Sequence, residues 1–259
     1  FLNARQNYPL LAGQQTNLYK CILENTFAMT AANGFAGLVH PESIYDDPKG
    51  QALRAAVYPR LRYHFQFKNE LSLFAEVHHE TIYGLHIYAG AKSEIDFLSL
   101  SNLFHPSTID GCFVHSGTGR AGGFKVMDEQ LRKMVWNVHP HKDRIIRITE
   151  RELRVMAETF EDGAEPKTAK LVSVHSKQIL SVLEKLAEFE GKVGDVETKI
   201  TVCWDETNAV NAGIIRRETT TPNPDAYELI YSGPHFFVGN PFYKTPRSVC
   251  TLNSHYDTL

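Results

Sequence analysis

The sequence predicts an α/β fold, and three observations carry that expectation. Helix-type and strand-type patterns alternate between residues 17 and 88. Apolar residues make up 42% of the 259 positions, enough to build a core, which excludes global disorder. After Gly90 the texture changes to one rich in Ser, Gly, Thr and His, predicting a second region of mixed α+β character beyond a boundary near residue 95.

The elements follow in order. Residues 17–32 read as a helix with Asn17 at its N-cap, Leu18, Cys21, Ile22, Phe27 and Met29 as its apolar positions, and Asn33-Gly34 as its stop. Phe35 to Val39 is a short apolar run bounded by breakers, the pattern of a buried strand. His40 to Gly50 contains two prolines and reads as a loop, followed by a short helix over 51–58. From Arg60 to Phe67 the chain alternates. Leu61, Tyr63, Phe65 and Phe67 face one way; Arg60, Arg62, His64 and Gln66 face the other, predicting a strand with one wet face. Tyr83 to Tyr88 is a further strand. Ile145 to Ile148 reads as a strand, and Thr149 with Glu152 as a capping box opening a helix near 150–160. Residues 176–190 carry the clearest helical stripe, with Ser176 as cap, Ile179, Leu180, Leu183 and Leu186 as apolar face and Gly191 as terminator. Strands are expected at 199–204 and 229–238, with a loop at 219–224.

Charge and cysteine usage narrow the function classes. Twenty-seven basic against 30 acidic residues give a net charge of −3, which excludes a uniformly basic coat but not a local basic face. No stretch approaches the ~18–20 apolar residues of a membrane helix. Cys21, Cys112, Cys203 and Cys250 are far apart, and reduced cytoplasmic thiols are the natural reading. The chain starts at Phe1, which is read as the start of a piece of a longer polypeptide.

Residues 17–88 also carry a resemblance. The ordered set is Asn17-Leu-Tyr-Lys-Cys-Ile-Leu-Glu24, Gly37-Leu-Val-His-Pro41, Gly50-Gln-Ala-Leu-Arg54, Leu73-Phe-Ala-Glu-Val77, and Thr81 to Tyr88. It resembles the second half of the catalytic domain of gamma-class, amino-type adenine-N6 DNA methyltransferases. These are the S-adenosylmethionine-dependent enzymes of restriction–modification and phage-defence systems. The resemblance implies the C-terminal half of a Rossmann-like methyltransferase sheet over residues 1–95, followed by a mixed α+β target-recognition region over 96–259. Within the latter, Gly233 to Tyr243 looks like part of the recognition region. It further implies that Phe74 stacks on an adenine extruded from double-stranded DNA, and that Asn17 and Tyr19 line the cofactor side. Arg216, Arg217, Lys244 and Arg247 are the candidate DNA contacts. The family's glycine-rich cofactor turn and its Asn/Asp-Pro-Pro-aromatic catalytic turn precede the Asn17 block. The expectation is therefore that an N-terminal part of the same polypeptide supplies them, that this chain holds no catalytic residue, and that alone it does not methylate.

Other motifs compete for attention. Asn240-Pro241-Phe242-Tyr243 follows an apolar run, as a catalytic Asn-Pro-Pro-Tyr turn would, but lacks the second proline and lies late in the chain; Asn240, Pro241 and Tyr243 are the alternative catalytic set. Gly117 to Gly122 matches G-x-G-x-x-G without a clean strand before it or helix after it. His139-Pro-His141-Lys-Asp143 copies part of a zinc-hydrolase signature, with Arg144 where a histidine belongs. His78-His79-Glu80 reads as a solvated loop, and Glu197-Thr-Lys199 as a chance likeness to a nuclease motif. The alternative functions are a non-catalytic DNA-binding or protein-interaction module on the same scaffold and a metal-dependent hydrolase built on His139 and His141.

Overall fold

The computed structural model describes residues 6–15, 17–161, 163–191, 193–197, 205–214, 216, 244–246 and 256–258. They fall into two compact units, residues 1–192 and 193–259. The expected strands at 199–204 and 229–238 and the loop at 219–224 lie outside the described residues.

The first unit is built on a five-stranded mixed sheet in the order β1 (Phe35–Pro41), β3 (Ile82–Ala89), β2 (Leu61–Lys68), β4 (Asp96–Leu103), β7 (Ile146–Thr149). Helix α1 (Leu18–Met29) is capped by Asn17, whose side chain accepts from the Tyr19 amide, and leads into β1 (Phe35–Pro41). Helix α2 (Gln51–Val57) connects β1 to β2 (Leu61–Lys68). Strand β3 (Ile82–Ala89) then returns antiparallel between them, pairing Leu38 with His86 on one side and His64 with His86 on the other. Strand β4 (Asp96–Leu103) lies parallel to β2, and β7 (Ile146–Thr149) closes the sheet antiparallel to β4. The expected division near residue 95 thus falls inside one hydrogen-bonded sheet; the compact units divide nearly a hundred residues later. Between β4 and β7 lie α3 (Ser107–Val114) and a hairpin of β5 (Lys125–Asp128) and β6 (Lys133–Trp136).

Residues alternate across the sheet, so each face has its own core. One face carries Leu61, Tyr88, Phe97, Ile146 and Ile148 under Cys21 and Leu23 of α1, Leu53 and Val57 of α2, and residues of α4 (Glu150–Phe160). The other carries Phe65, Phe67, Leu100 and Leu103 under Cys112 of α3. A register shift between Leu61 and Tyr63 turns Leu61 to the helical face. Helix α4 opens with the expected capping box: the Thr149 amide donates to Glu152 Oε2 at 2.9 Å, and the Thr149 side chain caps the first turn.

Three expectations are corrected. Strand β1 is not buried: it lies at the end of the sheet, with Phe35 and Val39 more than half exposed. The wet face of β2 is not wet, since His64 and Gln66 are buried. Helix α5 (Lys177–Ala187) ends before Gly191 and buries Leu183, but leaves Ile179 and Leu186 exposed, and the Ser176 side chain makes no capping bond. In the second unit, α6 (Glu206–Asn211) is capped by Asp205, and β8 (Lys244–Pro246) pairs antiparallel with β9 (Tyr256–Thr258).

His175, buried before α5, makes stability acid-sensitive. Its Nε2 lies 2.9 Å from the Gly122 carbonyl and its ring stands edge-on to Phe124. Burial, reinforced by the Arg144 charge, lowers its pKa to about 4. An unfolded histidine takes up its proton near pH ~6.5, so the unfolded state binds more protons between the two values and stability falls as pH drops through that window. His40 and His86 act with the same sign. Urea titrations at pH 7 and pH 5 are expected to show a drop for the wild type that is smaller in His175→Gln; an equal drop in both would exclude His175 as a contributor.

Candidate functional site at the carboxyl rim of the sheet

Strands β1, β2 and β4 run the same way, so their carboxyl ends at Pro41, Lys68 and Leu103 share one rim of the sheet. In open α/β sheets that rim is where ligands bind. Three structures meet it: a polar cleft, an aromatic loop and a buried histidine–carboxylate cluster.

The cleft, of about 460 Å³, lies between the N-terminus of α1 and the turn after β1; Asn17, Tyr19, Lys20, Ser43, Asp46 and Asp47 line it. The two residues expected on the cofactor side are therefore brought together. Tyr19 shares a 2.6 Å hydrogen bond with the Ser43 hydroxyl and stacks on His40 at 5.4 Å. Its phenol is pushed up by burial, with the acidic turn adding to the effect despite the Ser43 bond. Lys20, 4% exposed, donates to Asp47 at 2.7 Å and to Gln14 at 3.0 Å. Asp47, in spite of partial burial, is held below the ordinary carboxylate range by Lys20 and the Lys49 amide.

The aromatic loop joins β2 to β3. Asn69, fully buried, organises it: its amide donates to the Phe74 carbonyl at 2.9 Å and the Val77 carbonyl at 2.8 Å, and its oxygen accepts from the Phe74 amide at 3.0 Å. Phe74 is 43% exposed and meets Tyr83 edge-on at 5.0 Å. Tyr83 pairs with Pro41 and packs on Phe67, which belongs to the α3 side of the sheet. Phe74 is thus held at the rim on the face opposite α1. His78 and His79 are exposed beside it, with His79 Nδ1 3.2 Å from Glu70.

The cluster was not legible as a site. His64 Nε2 lies 2.9 Å from Glu42 Oε2, and His86 Nε2 lies 3.1 Å from Glu42 Oε1. Gln66 donates to Glu42 Oε2 at 3.3 Å and also bonds the Ser173 hydroxyl. His64 Nδ1 is 2.8 Å from Ser99 Oγ. His40 lies flat on His86 with 3.8 Å between centroids, and its own nitrogens are taken by the Pro41 carbonyl and the Tyr88 hydroxyl. Burial, with the other imidazoles, lowers His40 to about 3, and burial lowers His86 against the pull of Glu42. For Glu42, burial pushes the carboxyl up, but His64 and His86 outweigh it and hold the group ionised. Among the described residues, Glu42, His64 and His86 form the one group placed to share a metal ion. The available signal was the polar side of an alternating strand, where His64 and Gln66 follow Arg60 and Arg62.

The other expected positions are scattered. Arg216 is exposed, and Lys244 sits in β8 opposite Thr258. Arg217, Arg247, Asn240, Pro241 and Tyr243 lie outside the described residues. Gly117 and Gly119 adopt positive φ in a loop after α3, with no strand–turn–helix unit around them. His141 is buried with its Nδ1 accepting from the Asp143 amide at 3.0 Å, a turn rather than a metal centre. Cys21 and Cys112 are buried free thiols. No helix among the described residues is long and apolar enough to cross a membrane.

No protein-family model matches the chain. No curated protein matches it either. Among solved structures it is similar to the M protein of the type I restriction enzyme EcoKI, at 12% identity and a TM-score of 0.36, over 72% of this chain and 47% of that one. The chain therefore spans about half the length of that protein.

Proposed function

We propose that this chain is part of an S-adenosylmethionine-dependent DNA adenine-N6 methyltransferase of restriction–modification or phage-defence type, contributing the rim of the base-flipping pocket and target recognition. Under this reading it acts in the cytoplasm on double-stranded DNA. The cofactor turn and the catalytic turn belong to an N-terminal part of the same polypeptide, and the region over 96–259 serves recognition, with Arg216, Arg217, Lys244 and Arg247 as DNA contacts. The observation that carries the reading is the placement of Phe74. The resemblance assigns it to an extruded base, and an aromatic ring fixed by a buried asparagine at the carboxyl rim, with 43% of its surface open, suits that task. Further support comes from the order of the resembling segments, which fall on α1, β1, α2, the rim loop and β3 in turn. Asn17 and Tyr19 on one cleft suit a cofactor side.

The chemistry is consistent. An adenine inside a duplex hides its exocyclic nitrogen, so the base must leave the stack at a cost of a few kcal/mol. An aromatic face returns about 1–3 kcal/mol per base. Phe74→Ala in the protein together with its cofactor-binding part is therefore expected to lower methyl transfer by roughly 5- to 150-fold and to weaken the fluorescence rise of 2-aminopurine placed at the target position. Unchanged transfer and unchanged extrusion would overturn the stacking role.

A further inference from the structure

We propose that Glu42, His64 and His86 form a Zn²⁺ site that ties the turn after β1 to strands β2 and β3. The donor atoms, two imidazole nitrogens and a carboxylate, all lie within 4.8 Å of one another. Zinc takes such ligands tetrahedrally at ~2.0–2.2 Å, which places neighbouring donor atoms about 3.3 Å apart. His64 Nε2 lies 2.9 Å from one Glu42 oxygen and His86 Nε2 3.1 Å from the other, a little inside that spacing.

Independent observations point to a bound cation. His86 is fully buried, yet neither of its nitrogens nor Glu42 Oε1 has a hydrogen-bond partner in good geometry; Glu42 and the Leu38 backbone act on the ring only as poorly aligned neighbours. The two groups stand 3.1 Å apart but misaligned for a hydrogen bond. Two donors of one tetrahedral ion would be disposed in this way: close, but each aimed at the metal rather than at the other. Polar atoms left without a well-aligned partner at this depth are costly unless something satisfies them. Space for the pair exists because position 84 is glycine. A Cβ there would lie 2.1 Å from Glu42 Oε1 and 2.6 Å from His86 Nε2.

The surroundings supply what liganding imidazoles need. Ser99 Oγ, 2.8 Å from His64 Nδ1, can accept a hydrogen bond from Nδ1–H, fixing the tautomer that leaves the Nε2 lone pair to bind. Gln66 holds Glu42 Oε2, and His40 clamps the His86 ring from above. Borderline nitrogen and oxygen donors select Zn²⁺ over the all-oxygen preference of Mg²⁺ and Ca²⁺. With three protein ligands, the fourth place is left for water.

The test is metal content and Co²⁺ substitution on the tag-free whole chain. After chelation and reloading, about one Zn²⁺ per chain should survive gel filtration, and Co²⁺ should give the visible absorption of a four-coordinate site. His86→Asn should abolish that spectrum, and Ser99→Ala should weaken binding by roughly 10- to 100-fold while leaving the spectrum in place. Should His86→Asn fail to fold, the wild-type spectrum and the Ser99→Ala titration still decide. A chain that takes up no metal on reloading, or a folded His86→Asn with the wild-type Co²⁺ spectrum and affinity, would overturn the site.

Discussion

Arg54→Met is expected to destabilise the first unit by about 3–5 kcal/mol, because three backbone carbonyls lose their donor at the lower end of about 1–3 kcal/mol apiece. Arg54 sits on α2 with no exposed surface, and it is the hub between two segments far apart in sequence. Its Nε donates to the Thr168 carbonyl at 2.7 Å; its Nη1 donates to the carbonyls of Asp47 at 2.7 Å and Ile44 at 3.3 Å. Methionine fills much of the volume but donates nothing, so these carbonyls lose their charged partner in a dry site. For a unit of this size the midpoint of thermal unfolding should drop by roughly 6–20 °C. Circular dichroism melts of the two proteins measure this directly. A loss below about 1 kcal/mol would mean that water or a shifted carbonyl replaces the guanidinium.

Asn69→Ala should melt the rim loop while leaving the sheet intact. The side chain satisfies two carbonyls and one amide of residues 74 and 77 from a position with no solvent access. Three lost bonds at about 1 kcal/mol each, with buried groups left unpaired, give a local penalty of about 2–4 kcal/mol. That exceeds what a short loop can absorb, so limited proteolysis should cut near 70–81 in the variant and not in the wild type. Global circular dichroism should be nearly unchanged. If the proposed base-stacking role holds, the variant should lose methyl transfer as Phe74→Ala does, because the ring would no longer be presented. A resistant loop would place its order in the Tyr83 contact instead.

Much of the fold could be read in advance, and the exceptions share a cause. Elements α1, β1, α2, β2, β3, β7 and α4 lie within a few residues of expectation because caps, breakers and alternation are local signals. Strand β4 was missed. Its run Asp-Phe-Leu-Ser-Leu-Ser-Asn-Leu reads as polar, yet Ser99 and Ser101 are buried, and Ser99 is a partner of His64. Helix α3 was missed because Gly111 interrupts its pattern. The expected wet face of β2 failed for the same reason as β4: periodicity tells which residues share a face, and it cannot tell that a polar face will be roofed by other polar groups. Helix α1 shows the converse. Cys21 and Leu23 enter the core and Lys20 is buried beside them on Asp47, 27 residues away, while Leu18, Ile22 and Met29 are exposed. A resemblance in order puts forward Asn17, Tyr19 and Phe74; the histidine cluster has no such guide, since its three donors come from separate segments.

The outer margin of β1 carries a consequence for handling the protein. Among the described residues nothing pairs with that margin, so a row of amides and carbonyls stands open along Phe35–Pro41. Natural sheets usually blunt such a border with lysine, proline or a bulge; here proline comes only at the last position, and Phe35 and Val39 add greasy side chains to the open backbone. The border is a template for whichever extended segment reaches it first. A tethered segment would arrive at high effective concentration and cap it, whereas in its absence crowded copies compete for it, so solubility becomes a matter of which neighbour completes the sheet.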